Sequence, residues 1–289
     1  MALFERVVVA GVGLIGGSFG LVARERELVG EVVGFGRGEA NLATALERGA
    51  VDRYSRDPAE AARGADLVLL AVPVQSTRPV AAALLPHARR DAVVIDAGST
   101  KRVVVETMEA VVAAPAAFVG CHPIAGTEFS GAAAALRDLF ERQLCILTPT
   151  GATDPDALER VRDLWIRIGM RVEEMSPADH DRLLALVSHL PHAVAYALVG
   201  AIDRERAGSH DPFAYSGGGL RDTTRIASSH AGMWRDIFLD NKAELLRALD
   251  AFERVLADIR GAVEAGAGDR LQQELERCRA ARTRLRGPS

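Results

Sequence analysis

The sequence predicts an α/β protein in which a doubly wound parallel sheet is followed by an all-α domain. Three observations carry that prediction. Short β-branched runs alternate with helical stretches up to residue 174. A glycine-rich turn closes the first of those runs, and after Ser176-Pro177 no convincing strand remains.

The first strand is Arg6-Val7-Val8-Val9-Ala10, a run with the character of a strand buried on both faces. It leads into Gly11-Val12-Gly13-Leu14-Ile15-Gly16, after which Leu14, Ser18, Leu21 and Val22 keep helical spacing. Strand, Gly-x-Gly-x-x-Gly, helix is the pattern of a turn that brings a pyrophosphate onto free N–H groups at a helix start. Gly11, Gly13, Leu14, Ile15 and Gly16 are therefore cofactor candidates, and the sheet is expected to be Rossmann-type. The second strand, Glu31 to Phe35, ends at Gly36-Arg37-Gly38-Glu39. An NAD site expects an acid here for the ribose hydroxyls. Gly36 stands in that place with Arg37 next to it, which suits a 2′-phosphate and favours NADP over NAD. In the alternative, Arg37 is solvated and Glu39 holds the ribose.

A helix from Glu39 to Arg48 follows, then the strand Asp66 to Pro73, a helix from Gln75 to Leu85, and the strand Ala92 to Asp96. Ala97-Gly98-Ser99-Thr100-Lys101 opens a helix reaching about Val112. Strands at 116–119, 143–147 and 170–174, with a helix over 156–168, complete the first part, a dinucleotide-binding domain over 1–174. Ligands of such sheets bind beyond the carboxyl ends of the strands, which adds Val72, Pro73 and Ser99 to the cofactor candidates. His122, on a Gly-rich loop after the 116–119 strand, is the candidate proton acceptor.

Residues 175–289 read as a helical dimerisation and substrate domain, with helices over 178–207, 231–264 and 269–285. Pro191, within Ser188-His189-Leu190-Pro191-His192, is expected to kink or restart a helix. His189 and His192, three apart, share a face; without a third ligand nearby they suit a pocket lining better than a metal, and no metal site is expected. Gly217-Gly218-Gly219 lets backbone approach a ligand, and Arg225, placed at a helix start near Asp222, suits a carboxylate.

The bulk properties exclude little else. Net charge of −4 gives no sign of a nucleic-acid binder. No apolar run reads as long enough to cross a bilayer, and no signal-peptide pattern precedes the first strand. Cys121, Cys145 and Cys278 lack metal-like spacing and fit reduced thiols in the cytoplasm. A thiol hydrolase using Cys121 and His122 is disfavoured because neighbours on an extended segment point to opposite faces. A hydroxyacid dehydrogenase with Lys242 as its lysine leaves the histidines unexplained, and a non-catalytic nucleotide-binding regulator would need no proton acceptor.

Four segments together resemble the prephenate/arogenate dehydrogenase family over essentially the whole chain. They are Gly11-x-Gly13-x-x-Gly16-Gly17-Ser18, Gly120-x-His122-Pro123-x-Ala125-Gly126-x-Glu128-x-Ser130-Gly131, Ser188-His189-Leu190-Pro191-His192, and Gly217-Gly218-Gly219-x-x-Asp222-x-x-Arg225-Ile226-Ala227 with Met233-Trp234 and Asn241-Lys242. Cys121 departs from the pattern, standing where glycine is common. The resemblance implies a cytoplasmic homodimer and NAD(P)-linked oxidative decarboxylation of prephenate, or alternatively arogenate, in tyrosine biosynthesis. His122 would be the base, with Ser99 bonding it or the substrate hydroxyl. Arg225 would hold a substrate carboxylate, and His192, His189, Thr127 and Gly218 would line the pocket. Glu128 would pair with Arg225 and gate entry.

Overall fold

The computed structural model describes residues 2–127, 129–205 and 210–285. Six parallel strands form the main sheet: β1 (Phe4–Ala10), β2 (Val29–Phe35), β3 (Arg53–Ser55), β4 (Leu67–Leu70), β5 (Val93–Asp96) and β6 (Ala117–Val119). Their spatial order is β3-β2-β1-β4-β5-β6, so the winding reverses between β1 and β4. Helices α1 (Leu14–Glu25), α2 (Glu39–Glu47), α3 (Pro58–Ala62), α4 (Thr77–Leu84) and α5 (Arg102–Glu109) connect the strands. β3 and α3 carry too little periodicity to have been read from the sequence.

β1 shows why its stretch from Val7 to Ala10 lacks polar residues. Val7 and Val9 join the core under α1 and α2, with Phe19 and Leu42. Val8 and Ala10 join the opposite core under α3 to α5, with Leu84 and Met108. Each fully buried valine contributes roughly 1.5–3 kcal/mol, so both faces demand apolar residues.

The sequence reading extended this one sheet through residue 174, and the structure corrects it. After β6 the chain leaves for a second sheet of β7 (Cys121–Ile124), β8 (Leu144–Leu147) and β9 (Arg171–Glu174), in that order. β7 runs antiparallel to β8 and β8 parallel to β9, with α6 (Pro155–Ile168) between the last two. Gly120 makes the step possible. A Cβ there would stand 2.5 Å from Thr148 Oγ1 and 2.9 Å from a Val105 methyl. His122 consequently sits within a strand rather than on a loop.

The remainder is helical: α7 (Pro177–Leu184), α8 (Leu190–Arg204), α9 (Gly218–Thr224), α10 (Ala231–Asp240), α11 (Lys242–Glu264) and α12 (Gly268–Arg282). A π-helical turn, Ala185–His189, joins α7 to α8. The α-helix restarts at Leu190 with Pro191 in its first turn, as expected of a proline there, and the π turn carries the chain across without a gap. As a result residues 177–204 form one helical stretch that is long and apolar enough, by length and composition, to cross a membrane. The sequence reading placed a helix over 178–207 but expected no run long enough to cross a bilayer, and the structure corrects that expectation.

Asp240 fastens the helices to the strand ends. Its carboxylate accepts from Gln75 Nε2 at 3.2 Å and from Thr100 Oγ1, on the loops after β4 and β5. Burial raises its pKa, against the Thr100 bond.

Candidate active site

The glycine turn lies where the winding reverses, the usual crevice of such sheets. Gly11 has φ +89°, and a Cβ there would lie 2.3 Å from the Ala71 carbonyl oxygen, just before Val72 and Pro73. β1 and β4 can approach this closely only around a glycine. α1 begins at Leu14 with Gly13 as its cap residue, no side chain on its free N–H groups and no acid in its first turn. Nothing lies within 4 Å of a Cβ built on Gly13. Gly13 N–H already donates to the Gly11 carbonyl at 2.9 Å, so an open, uncapped helix start of this kind would offer an anion the N–H groups of Leu14, Ile15 and Gly16.

At the ribose end, Arg37 is exposed and has no hydrogen-bond or ion-pair partner among the described residues. Glu39 is engaged: Tyr54 Oη donates to its Oε1 at 2.8 Å, and Arg56 lies 3.9 Å from its Oε2.

The chemical centre is a chain of three side chains. His122 Nδ1 lies 2.8 Å from His180 Nε2, and His180 Nδ1 lies 2.8 Å from Asp181 Oδ1. A carboxylate only accepts, so His180 Nδ1 carries the proton and its Nε2 accepts in turn. His122 therefore carries its proton on Nδ1, and its Nε2 presents a free lone pair. All three are buried, His122 being 9% exposed. Burial holds His122 well below the ordinary histidine value, helped by the adjacent His180 ring and the Lys101 ammonium. Burial also lowers His180, against its bond to Asp181.

Asp181 is fixed from three sides. Its oxygens accept Lys101 N–H at 2.7 Å and Arg102 N–H at 2.9 Å, at the start of α5. Asn241 Nδ2 donates to its main-chain carbonyl at 2.8 Å. Burial would raise this carboxyl; the His180, Arg102 and Lys101 bonds outweigh burial and hold it low. Beneath lies a buried ion pair between Lys101 and Asp96, whose carboxylate also accepts Cys121 N–H at 3.0 Å and Gly98 N–H at 2.8 Å. The Cys121 thiol is buried and its pKa pushed far up, first by burial, which removes it as a nucleophile.

Ser99 was expected to bond His122 or a substrate hydroxyl. The hydrogen bond of His122 goes to His180 through Nδ1 instead, and Ser99 makes none to it. Ser99 is half-buried at the same rim. His189 Nδ1 faces Asn241 Nδ2 at 3.2 Å, which leaves its buried Nε2 without a partner. Burial brings its pKa down to about 4, so the ring is neutral. His192 Nδ1 donates to the Ser188 carbonyl at 2.9 Å, and its ring stacks on Trp234 at 3.5 Å. Burial lowers the His192 pKa, against its bond to Ser188, and the Arg225 guanidinium adds to the lowering. Arg225 begins a 3₁₀ turn after α9, not a helix as expected. Gly218 begins α9 with open space around it. Thr127 is exposed, its hydroxyl accepting Phe129 N–H at 3.2 Å. Glu128 lies outside the described residues.

His180 and Asp181 were missed as site residues. They lie in Pro-Ala-Asp-His-Asp-Arg, at the start of α7. The available signal was that Asp181 falls on one apolar stripe with Leu184 and Ala185. Asp181→Asn is expected to cut kcat about 10–10²-fold by loosening the His180 ring, a misplacement effect. Substrate KM should stay near wild type; steady-state kinetics on a variant with intact far-UV dichroism checks this, and an unchanged kcat excludes the relay.

Comparison with known proteins gives a consistent pattern. The family described as "Prephenate dehydrogenase, nucleotide-binding domain" matches residues 19–174, and "Prephenate dehydrogenase, dimerization domain" matches 176–277. The chain is 37% identical to cyclohexadienyl dehydrogenase of Zymomonas mobilis, over 99% of this chain and 98% of that protein. It is 36% identical to prephenate dehydrogenase of Bacillus subtilis, over 90% of this chain and 70% of that one. Among solved structures it resembles prephenate dehydrogenase from A. aeolicus in complex with hydroxyphenyl propionate and NAD+, at 37% identity and TM-score 0.91. That match covers 96% of this chain and 97% of the other.

Proposed function

The chain belongs to the prephenate dehydrogenase family of NAD(P)-dependent oxidoreductases, and from that premise we propose how its residues carry out the oxidative decarboxylation of prephenate to 4-hydroxyphenylpyruvate. The observation that carries this reading is the free lone pair of His122 Nε2, set by the Asp181–His180–His122 chain. Bound NAD(P) supplies the hydride acceptor.

As the ring carbinol carbon is oxidised, His122 Nε2 takes the hydroxyl proton. The resulting imidazolium keeps its Nδ1–H bond to His180 and is stabilised through that ring by Asp181. Loss of the ring carboxylate as CO2 then makes the ring aromatic. The Nε2 of His192 can accept from a substrate hydroxyl and Ser99 adds a hydroxyl at the rim, while the neutral His189 ring is fully buried. Arg225 binds a substrate carboxylate as a bidentate partner. Arg225→Ala is expected to raise KM for the ring substrate about 10–10²-fold with a smaller change in kcat, as fits loss of a charged hydrogen-bond pair. An unchanged KM removes that role.

The exposed, unpartnered Arg37 and the engaged Glu39 support NADP as the preferred dinucleotide. Exposed Leu186, Val187, Leu246 and Leu256 on the helical domain support a homodimer; sedimentation at one chain mass, 30.8 kDa, would count against it. Arogenate is the second reading, favoured by the likeness to Synechocystis arogenate dehydrogenase at 29% identity and TM-score 0.80. Following nicotinamide absorbance with prephenate and arogenate, each with NAD and NADP, tests all of these. Turnover of prephenate, faster with NADP, is expected. Turnover of arogenate alone exchanges the substrate, and folded dimer inert with all four pairs rejects the reading.

A further inference from the structure

The crest of the sheet beyond β2 and β3 holds opposed charges that a ribose phosphate would have to meet. Gly34 pairs with Tyr54 and Phe35 with Ser55 in parallel register, so Gly36-Arg37 and Arg56 leave the sheet side by side. Glu39, the first residue of α2, stands above them. A carboxylate at this place could do either of two things. Turned towards the ribose, it would accept the hydroxyls of NAD and repel a 2′-phosphate. Turned away, it would leave the guanidiniums to an anion.

The tyrosine decides the direction in which Glu39 points. Tyr54 extends from the face it shares with Gly34, where a Cβ would stand 3.4 Å from the Tyr54 Cβ and 3.1 Å from a Val12 methyl. With no side chain at position 34, the Tyr54 ring packs beside Val12 in the main core cluster, and its hydroxyl reaches Glu39 Oε1 at 2.8 Å. Arg56 adds weaker attraction from 3.9 Å, on the same side.

We propose that Tyr54 is a specificity-determining positioning residue: it holds the Glu39 carboxylate against β3, away from the ribose, and so keeps Arg37 available for a 2′-phosphate. The proposal rests on the NADP reading of Arg37 and adds the residues that protect it. Tyr54 acts through Glu39, and its removal converts Glu39 from a spectator into an acceptor for ribose hydroxyls.

The test uses the full chain and two adenosine probes, adenosine 2′,5′-bisphosphate and 5′-AMP, with dissociation constants measured by calorimetry. Tyr54→Phe keeps the ring and removes only the hydroxyl. It is expected to weaken bisphosphate binding about three- to tenfold, the scale of one exposed charge-assisted hydrogen bond, while 5′-AMP binds as well or better. Adding Glu39→Gln to Tyr54→Phe should restore bisphosphate binding, because no carboxylate is left to swing inward. Equal weakening of both probes, no effect, or failure of Glu39→Gln to restore binding overturns the role of Tyr54. Arg37→Ala separates this from the underlying reading. If Arg37→Ala weakens the bisphosphate and Tyr54→Phe does not, only the Tyr54 proposal falls. If Arg37→Ala also leaves bisphosphate binding unchanged, the NADP reading falls with it.

Discussion

His122→Asn is expected to lower kcat by about 10²–10⁴, the range for loss of a general base, with little change in KM for either substrate. Asparagine fits the strand and offers hydrogen bonds to His180, but has no group that gains a proton near neutral pH. The pH dependence sharpens the expectation. The working form of His122 is the neutral one, which predominates above its pKa. Burial, His180 and Lys101 place that pKa well below 6.5. The acid limb of kcat should therefore lie well below pH 6.5, with a flat profile through neutrality. Rates within threefold of wild type for His122→Asn, or an acid limb centred at or above 6.5, would remove His122 from the role.

Lys101→Met is expected to have the largest effect on stability. Lys101 and Asp96 are fully buried and paired, with side chains 0% and 1% exposed. Removing the ammonium leaves the Asp96 carboxylate charged in a site without water. Breaking a buried pair from one side costs about 3–5 kcal/mol. In a chain of this size that is roughly a 6–15 °C loss in melting temperature. Adding Asp96→Asn should recover only part of the loss. The amide removes the stranded charge, yet Cys121 N–H and Gly98 N–H meet different carboxylate oxygens, and the amide turns one of those acceptors into an NH2 donor. Lys101 also opposes protonation of His122, so in Lys101→Met the acid limb of kcat should move to higher pH. Thermal unfolding at wild-type temperature would show that the pair contributes nothing net.

The sequence alone determined the elements whose causes are local. β1 must be apolar from Val7 to Ala10 because both of its faces are covered there, and this is visible in four consecutive residues. The glycine turn is legible because close approach to Ala71 leaves no room for a Cβ at Gly11. The caps Asp154 and Ser176, each before a proline, mark the starts of α6 and α7. The four motif segments, through the family they resemble, make His122, His189, His192 and Arg225 candidates for one site.

What only the tertiary structure decided are the contacts made between distant segments. Alternation of strand and helix cannot show that the chain changes sheets at Gly120, since β7 and β6 have the same local character and differ only in their partners. α5 shows no capping residue of its own, because Asp181 caps it from 80 residues away. That same carboxylate sets the tautomer of His180, and through it the lone pair on His122. A histidine in a sequence is a group able to take a proton; which nitrogen takes it, and at what pH, follows from burial and from the donors and acceptors that folding brings within 3 Å.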